Sequence, residues 1–313
     1  MRVVVTGATG MIGKAAVSAL LKREDQVIAL TRDPDRARKR LGGRVQLHAW
    51  EDPKLTPPPR AALADADAVL HLLGEPIAQR WSTAIKKEIR ESRVLSTRML
   101  LAALREIPAG GRPHTLVAQS AIGYYGPRDG ERLDESAGPG TDFLASVTSE
   151  WEAEASDPPP GVRVTLTRTG VVLSPSGGAL AKMLPPFKLG VGGPIGGGRQ
   201  YVPWVHLDDV IGSLLFCLDH EAAGAVNVTA PEPVTNAELA RTLGRVLHRP
   251  AVLPVPALAL KALYGEMATV ILSGQRAVPG RLEELGYEFR FPELEDALRD
   301  VLERGSASSN AAS

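Results

Sequence analysis

Thr6-Gly-Ala-Thr-Gly-Met-Ile-Gly13 follows the apolar run Val3-Val-Val5 directly and opens an amphipathic stretch, Met11–Arg23. Three glycines at three-residue spacing between a strand and a helix leave few folds open. Gly7 allows the tight turn, Gly10 lets backbone N–H groups approach a pyrophosphate, and Gly13 lets helix and strand pack closely. A turn that needs only flexible residues requires no such strand-turn-helix setting, so the segment reads as a dinucleotide site.

The rest of the chain supports that reading. Gln26–Leu30, Val45–His48, Ala68–Leu72, Thr115–Gln119 and Val164–Thr167 are short apolar runs that predict parallel strands covered on both faces. Helices are predicted at Asp35–Leu41, Ser82–Ile107 and Asp142–Ala155, with Pro53–Pro59 as a rigid connection. This alternation predicts an α/β protein with a Rossmann-type doubly wound parallel sheet and helices on both faces. Residues 1–170 form the binding domain, with later strands returning from 200–230. Residues 171–303 form a smaller mixed α/β region that completes a substrate pocket, and 304–313 a flexible tail.

Within that second region, Ser174–Gly178 and Gly190–Arg199 are glycine-rich loops around an apolar Leu180–Phe187 segment. The second loop lacks the Gly-Lys-Ser/Thr ending of a phosphate loop and reads as a mobile lid. Asp208 is placed to cap a helix, Ala225–Val228 reads as a strand, and Thr235-Asn-Ala-Glu238 has a capping-box pattern. Tyr287–Phe291 and Glu293–Glu303 read as a last strand and helix.

Leu30-Thr-Arg-Asp-Pro34 ends the second strand about 20 residues past the glycine turn, where an NAD site usually carries an acidic residue. Arg32 stands there instead, and a guanidinium grips a 2′-phosphate and stacks on adenine. Asp33, before Pro34, reads as a helix cap. The expected cofactor is therefore NADP(H). After the fourth strand, Leu72-Leu-Gly-Glu-Pro-Ile77 lies at the carboxyl edge; Gly74 lets the chain pass close to the cofactor, and Glu75 either touches substrate or caps the turn.

Composition excludes several classes. Lysine plus arginine and aspartate plus glutamate both number 36, so no net field favours nucleic acid or a membrane surface. No apolar run reaches the roughly 18 residues of a membrane helix, and the N-terminus enters a strand without a signal-peptide pattern. The one cysteine, Cys217, reads as a small buried side chain, and the six scattered histidines show no metal-ligand spacing, so no metal is expected. These features predict a soluble cytoplasmic monomer or homodimer acting on a small molecule.

Motifs beyond the glycine turn occur together and in order: Leu73-Gly-Glu-Pro76, Ser120-Ala-Ile-Gly-Tyr-Tyr-Gly126, Leu184-Pro-Pro-Phe187, Gly192-Gly-Pro-Ile-Gly196, Trp204-Val-His-Leu-Asp-Asp209 and Gly274-Gln-Arg-Ala-Val-Pro279. With them residues 1–303 resemble the atypical extended short-chain dehydrogenase/reductases of the NAD-dependent epimerase/dehydratase-like kind, some of which are labelled cell-division inhibitors. The resemblance implies NADP(H), a small C-terminal domain, Thr9, Gly10, Met11 and Ile12 along the pyrophosphate, and Leu72 and Leu73 on the adenosine side. It also implies Glu88, Arg93 and Val172 near the cofactor.

In that superfamily a serine at the end of the fifth strand works with a Tyr-x-x-x-Lys pair 20 to 30 residues on, the tyrosine exchanging the substrate's proton. Ser120 takes the serine place, but Phe143 and Val147 stand where the dyad belongs. Tyr124 and Tyr125 are the nearest substitute acids, ahead of Glu75, Lys182, His206 and Asp208. Three readings follow: an oxidoreductase or epimerase with a different acid, an NADP(H)-binding sensor without turnover, or a structural protein on a relic fold.

Overall fold

Val3, Val4 and Val5 are fully buried, and so are their neighbours across the sheet, because the strands are covered on both faces. The computed structural model describes residues 1–174 and 177–310; Pro175 and Ser176 of the predicted Ser174–Gly178 loop and residues 311–313 of the tail lie outside them. The chain runs β1 (Arg2–Thr6), α1 (Met11–Lys22), β2 (Gln26–Thr31), α2 (Pro34–Leu41), β3 (Gln46–Ala49), α3 (Arg60–Leu63) and β4 (Ala68–His71). It continues through α4 (Thr83–Glu106), β5 (Thr115–Ala121), β6 (Arg132–Leu133), α5 (Phe143–Ala155), β7 (Arg163–Thr169) and β8 (Val171–Leu173). Next come α6 (Gly178–Lys188), β9 (Tyr201–Val202), β10 (Trp204–His206), α7 (Leu207–Asp219), β11 (Gly224–Val228), β12 (Val234–Thr235) and α8 (Asn236–Val246). The chain closes with α9 (Ala257–Tyr264), α10 (Ala268–Leu272), β13 (Arg276–Ala277), α11 (Gly280–Glu284) and α12 (Leu294–Asn310).

Seven parallel strands order as β11-β7-β5-β4-β1-β2-β3. The order reverses between β1 and β4, the crevice where ligands bind in open α/β sheets. On one face, α1 and α7 pack Val17, Leu20, Val210 and Leu214 against Val3, Val5 and Leu70. On the other, α4 contributes Leu100, Leu101 and Leu104 against Val4, Val69 and Leu116. A third cluster joins α6, α8 and α12 through Phe187, Leu243, Leu298 and Val301 around Trp204.

Four details differ from the sequence reading. The cap of α7 is His206, whose ring accepts from the Asp208 N–H at 3.0 Å, not Asp208 itself. Tyr287–Phe291 forms no strand, because the Arg290 and Phe291 N–H groups donate to the Asp209 carboxylate instead of to a ladder. The last helix runs to Asn310, into the predicted tail, since no proline follows Glu303 to stop it. The Gly190–Arg199 loop is packed down: Ile195 forms a parallel bridge with Val255, the Ile195 N–H donates to Asn236 Oδ1 on α8 at 2.6 Å, and Gly192 lies on the Phe187 ring.

Candidate cofactor cradle and substrate cleft

The glycine turn is built on contact. A Cβ at Gly7 (φ +64°) would stand 2.5 Å from the Leu72 carbonyl oxygen, and one at Gly13 would overlap the Gly7 carbonyl. Only glycine lets β1, β4 and α1 converge here. Gly10 caps α1 through its backbone, with no side-chain hydrogen bond, so the first-turn N–H groups of Met11, Ile12 and Gly13 meet no capping side chain. That is an anion cradle. Thr9, Met11 and Ile12 are half-buried around it, Leu72 packs with Met11, Ile12 and buried Val172 in one cluster, and Leu73 turns to the opposite face.

Buried hydrogen bonds hold the turn from below. The Leu72 N–H donates to Thr6 Oγ1 at 3.1 Å, and that hydroxyl donates to His71 Nδ1 at 2.8 Å. His71 Nε2 then donates to Thr97 Oγ1 at 3.1 Å, whose hydroxyl donates to the Arg93 carbonyl at 2.8 Å. Each hydroxyl passes its proton one way, which leaves His71 neutral and protonated on Nε2. Burial pushes its pKa down to about 4.

Arg93 lies beneath Gly74, its guanidinium 3.2 Å from where a Cβ would be, and donates to the Glu75 and Ile89 carbonyls at 2.9 Å. It is a half-buried cation within the cradle wall; burial draws its pKa down to about 10, which leaves it charged at neutral pH. Glu88 pairs with Lys54 at 2.7 Å. Arg32 is exposed at the end of β2, while Asp33 caps α2 by accepting from the Arg36 N–H at 2.9 Å. The cradle, the exposed Arg32 and the close approach at Gly74 fit a phosphorylated dinucleotide.

The three residues proposed for catalysis differ in setting. Ser120 is 1% exposed and donates to Glu152 at 2.5 Å. Glu152 also takes two bonds from Arg168, both at 2.8 Å, the two side chains being 9% and 5% exposed. Tyr125 is fully buried; its phenol donates to Asn227 Oδ1 at 2.7 Å and accepts from Arg168 at 3.0 Å. Burial lifts its pKa to about 12. Tyr124 is half-buried, with its ring face 3.5 Å from the Arg168 guanidinium carbon.

At the dyad positions, Val147 is buried and Phe143 half-buried. The Phe143 ring meets Trp81 edge-on at 5.1 Å, with the Lys86 ammonium 4.5 Å from its centroid, and Val147 is 1% exposed. Lys182 donates to the Ala78 carbonyl, and His206 and Asp208 belong to the α7–α12 junction, paired with Asp300 and Arg304. Sequence reasoning missed the Glu152–Arg168 pair. Its one signal was an arginine at the buried end of Val164-Thr-Leu-Thr-Arg168.

A parallel α/β sheet with a glycine cradle at its switch point defines a dinucleotide-dependent protein class. Residues 3–229 match the NAD dependent epimerase/dehydratase family, and the chain belongs to it; residues 255–301 match a domain of unknown function, DUF1731. The epimerase family protein SDR39U1 homolog of Arabidopsis thaliana, a chloroplastic protein, is 40% identical over 97% of this chain and 87% of its own. The crystal structure of human epimerase family protein SDR39U1 (isoform 2) with NADPH superposes with a TM-score of 0.86 at 35% identity, covering 97% of this chain and 99% of that one. A nucleoside-diphosphate sugar epimerase from Corynebacterium glutamicum superposes at 0.72 with 33% identity, over 95% of this chain and 57% of that longer one. No helix among the described residues is long and apolar enough to cross a membrane.

Proposed function

We propose that this protein binds NADP(H) and uses it on a small carbonyl compound or nucleotide sugar as an oxidoreductase or epimerase. The observation that carries the reading is the α1 N-terminus at the switch point, which meets no capping side chain, with Arg32 exposed at the end of β2. The NADPH of the human relative supports the choice of cofactor. Bound NADP(H) would supply or accept the hydride. Gly7, Gly10 and Gly13 would seat the dinucleotide with Thr9, Met11 and Ile12, Arg32 would hold the 2′-phosphate, and Leu72, Leu73, Gly74, Arg93 and Val172 would wall the site. Glu88, paired with Lys54, is left out of this set.

Tyr124 is the proton donor in this reading. Its ring rests on a guanidinium that Glu152 fixes, which holds the side chain half-buried beside the loop. Ser120 and Tyr125 hold that platform instead of meeting substrate. The absence of a tyrosine and a lysine at positions 143 and 147, with Val147 buried, favours one other reading, a sensor that binds NADP(H) without turning it over. The reading places the protein in the cytoplasm as a monomer or homodimer. The test is a titration of purified protein with NADPH and NADH, followed by incubation with a pool of carbonyl metabolites and nucleotide sugars. Absence of NADPH binding sinks both readings; tight binding without consumption leaves the sensor.

A further inference from the structure

Lys14 and Lys22 on α1, Arg40 near the end of α2 and Arg44 just past it open onto one groove, a cavity of about 340 Å³. No acidic residue lines it, and none of these cations forms an ion pair among the described residues. Asp25, three residues past Lys22, is already held by Arg23 and the N-terminal ammonium, and the exposed Glu24 does not reach the lining. The whole chain balances its charges, 36 of each sign, so a groove with cations alone is a local departure from that balance. None of Gly7, Gly10, Gly13 and Arg32 lines it, which separates it from the cofactor cradle.

The fold sets the spacing of these groups. Lys14, Ser18 and Lys22 stand four residues apart on α1 and form one exposed stripe along it. On the other wall, Gly42 ends α2 at φ +80°, and Arg38 gathers the carbonyls of Gly42, Gly43 and Val45 at 3.1, 3.2 and 2.7 Å. A planar trans peptide points its N–H opposite to its C=O. The Gly43 and Arg44 N–H groups therefore face away from Arg38, and neither donates to another described residue. A Cβ at Gly42 or Gly43 would meet nothing within 4 Å, so this wall is open to a ligand. One exposed cation gains little from one exposed anion, but several converging on a multivalent anion, with backbone donors beside them, act together. The two α1 lysines stand about 12 Å apart along the axis, eight residues at 1.5 Å each. A lone phosphate does not span that distance, and a chain of phosphates approaches it.

We infer that this groove is a second anion site, apart from the cofactor cradle, and that it takes an oligophosphate: inorganic tripolyphosphate or the triphosphate of a nucleotide. Calorimetric titration of the NADPH-saturated protein with sodium tripolyphosphate and with ATP, both without divalent cations, tests it and tells the two sources apart. Wild type binds at least one probe, one per chain. Equal affinities support the bare oligophosphate; tighter ATP supports the nucleotide, with its base against Leu21 and Leu41 of the lining. Arg40→Gln with Arg44→Gln weakens binding about tenfold, the sum of two exposed charge pairs, and Lys22→Gln about threefold. Lys39→Gln with Arg241→Gln, which removes two cations outside the groove, leaves affinity unchanged. All five of these side chains are exposed, so their replacement does not touch the core. The inference is overturned if neither probe binds, or if the two double variants lose affinity equally, which would show a general field and not a groove. It is overturned as well if binding to the free protein vanishes on NADPH saturation, because the anion then sits in the cradle. A protein that binds no NADPH condemns the cofactor reading, while the same variants titrated without cofactor still decide the groove.

Discussion

Trp151 and Glu152, consecutive on α5, each close a different buried network. The Trp151 indole N–H donates to Thr97 Oγ1 at 3.0 Å, the hydroxyl that also receives His71 from beneath the glycine turn. Glu152 binds Ser120 and Arg168, and through Arg168 the Tyr124–Tyr125 loop. One helical turn thus fixes both the floor of the cofactor cradle and the platform under the proposed acid. Removing the carboxylate would leave Arg168 charged and buried, a loss of about 3–5 kcal/mol for a broken buried pair.

In the proposed reading, Arg32 sets the cofactor preference. Asp33 is occupied as the cap of α2, so it does not compete for the ribose hydroxyls. Arg32→Ala should weaken NADPH binding about ten- to hundredfold and leave NADH nearly unchanged. Fluorescence titration checks this; equal affinities of the wild type for the two cofactors would refute the assignment.

The adjoining tyrosines should separate chemistry from stability. Tyr124→Phe keeps the ring over Arg168 and should lower turnover about 10²–10⁴-fold with stability within roughly 0.5 kcal/mol. Tyr125→Phe leaves the buried Asn227 oxygen without its donor and should cost about 1–3 kcal/mol in urea unfolding. The assignment fails if Tyr124→Phe turns over substrate at the wild-type rate.

Rebuilding the missing dyad should not work. In Phe143→Tyr with Val147→Lys, the lysine replaces a side chain that is 1% exposed, and the tyrosine hydroxyl enters a ring packed by Trp81 and Lys86. The buried ammonium alone destabilises, by roughly 3 kcal/mol or more. Thermal melting reads the loss; a stable, active double variant would mean that the site opens in solution.

His71 makes stability depend on acid. Its folded pKa is depressed by burial to about 4, below the ordinary value of 6.5. The neutral ring's contribution is therefore complete above about pH 6.5 and is lost as pH falls toward 4, by roughly 3 kcal/mol in total. Urea unfolding at pH 7 and pH 5 should show the decline, and His71→Gln should flatten it. A wild type equally stable at both values, or a variant with the same slope, would count against this account.

Sequence alone determined the parallel sheet, its helices and the cofactor turn, because each rests on local physics: apolar runs of strand length, a helical repeat, and glycines that no other residue can replace at a close approach. It also marked Arg32, since the end of β2 is fixed by its distance from the turn, and it marked the empty dyad positions by counting from Ser120. Only tertiary structure decided what those residues do. Period-two alternation along β5 sends Ser120 toward Glu152, a residue 32 positions away that reaches it only when α5 folds back across the sheet. The same packing buried Tyr125 and left Tyr124 half-exposed, although both stand in one Gly-Tyr-Tyr-Gly loop. The Gly274–Pro279 motif was visible in the sequence, but only the docking of β13 beside β6 decided where its residues stand. Burial and pairing of charges depend on which distant segments meet, and no local pattern carries that information.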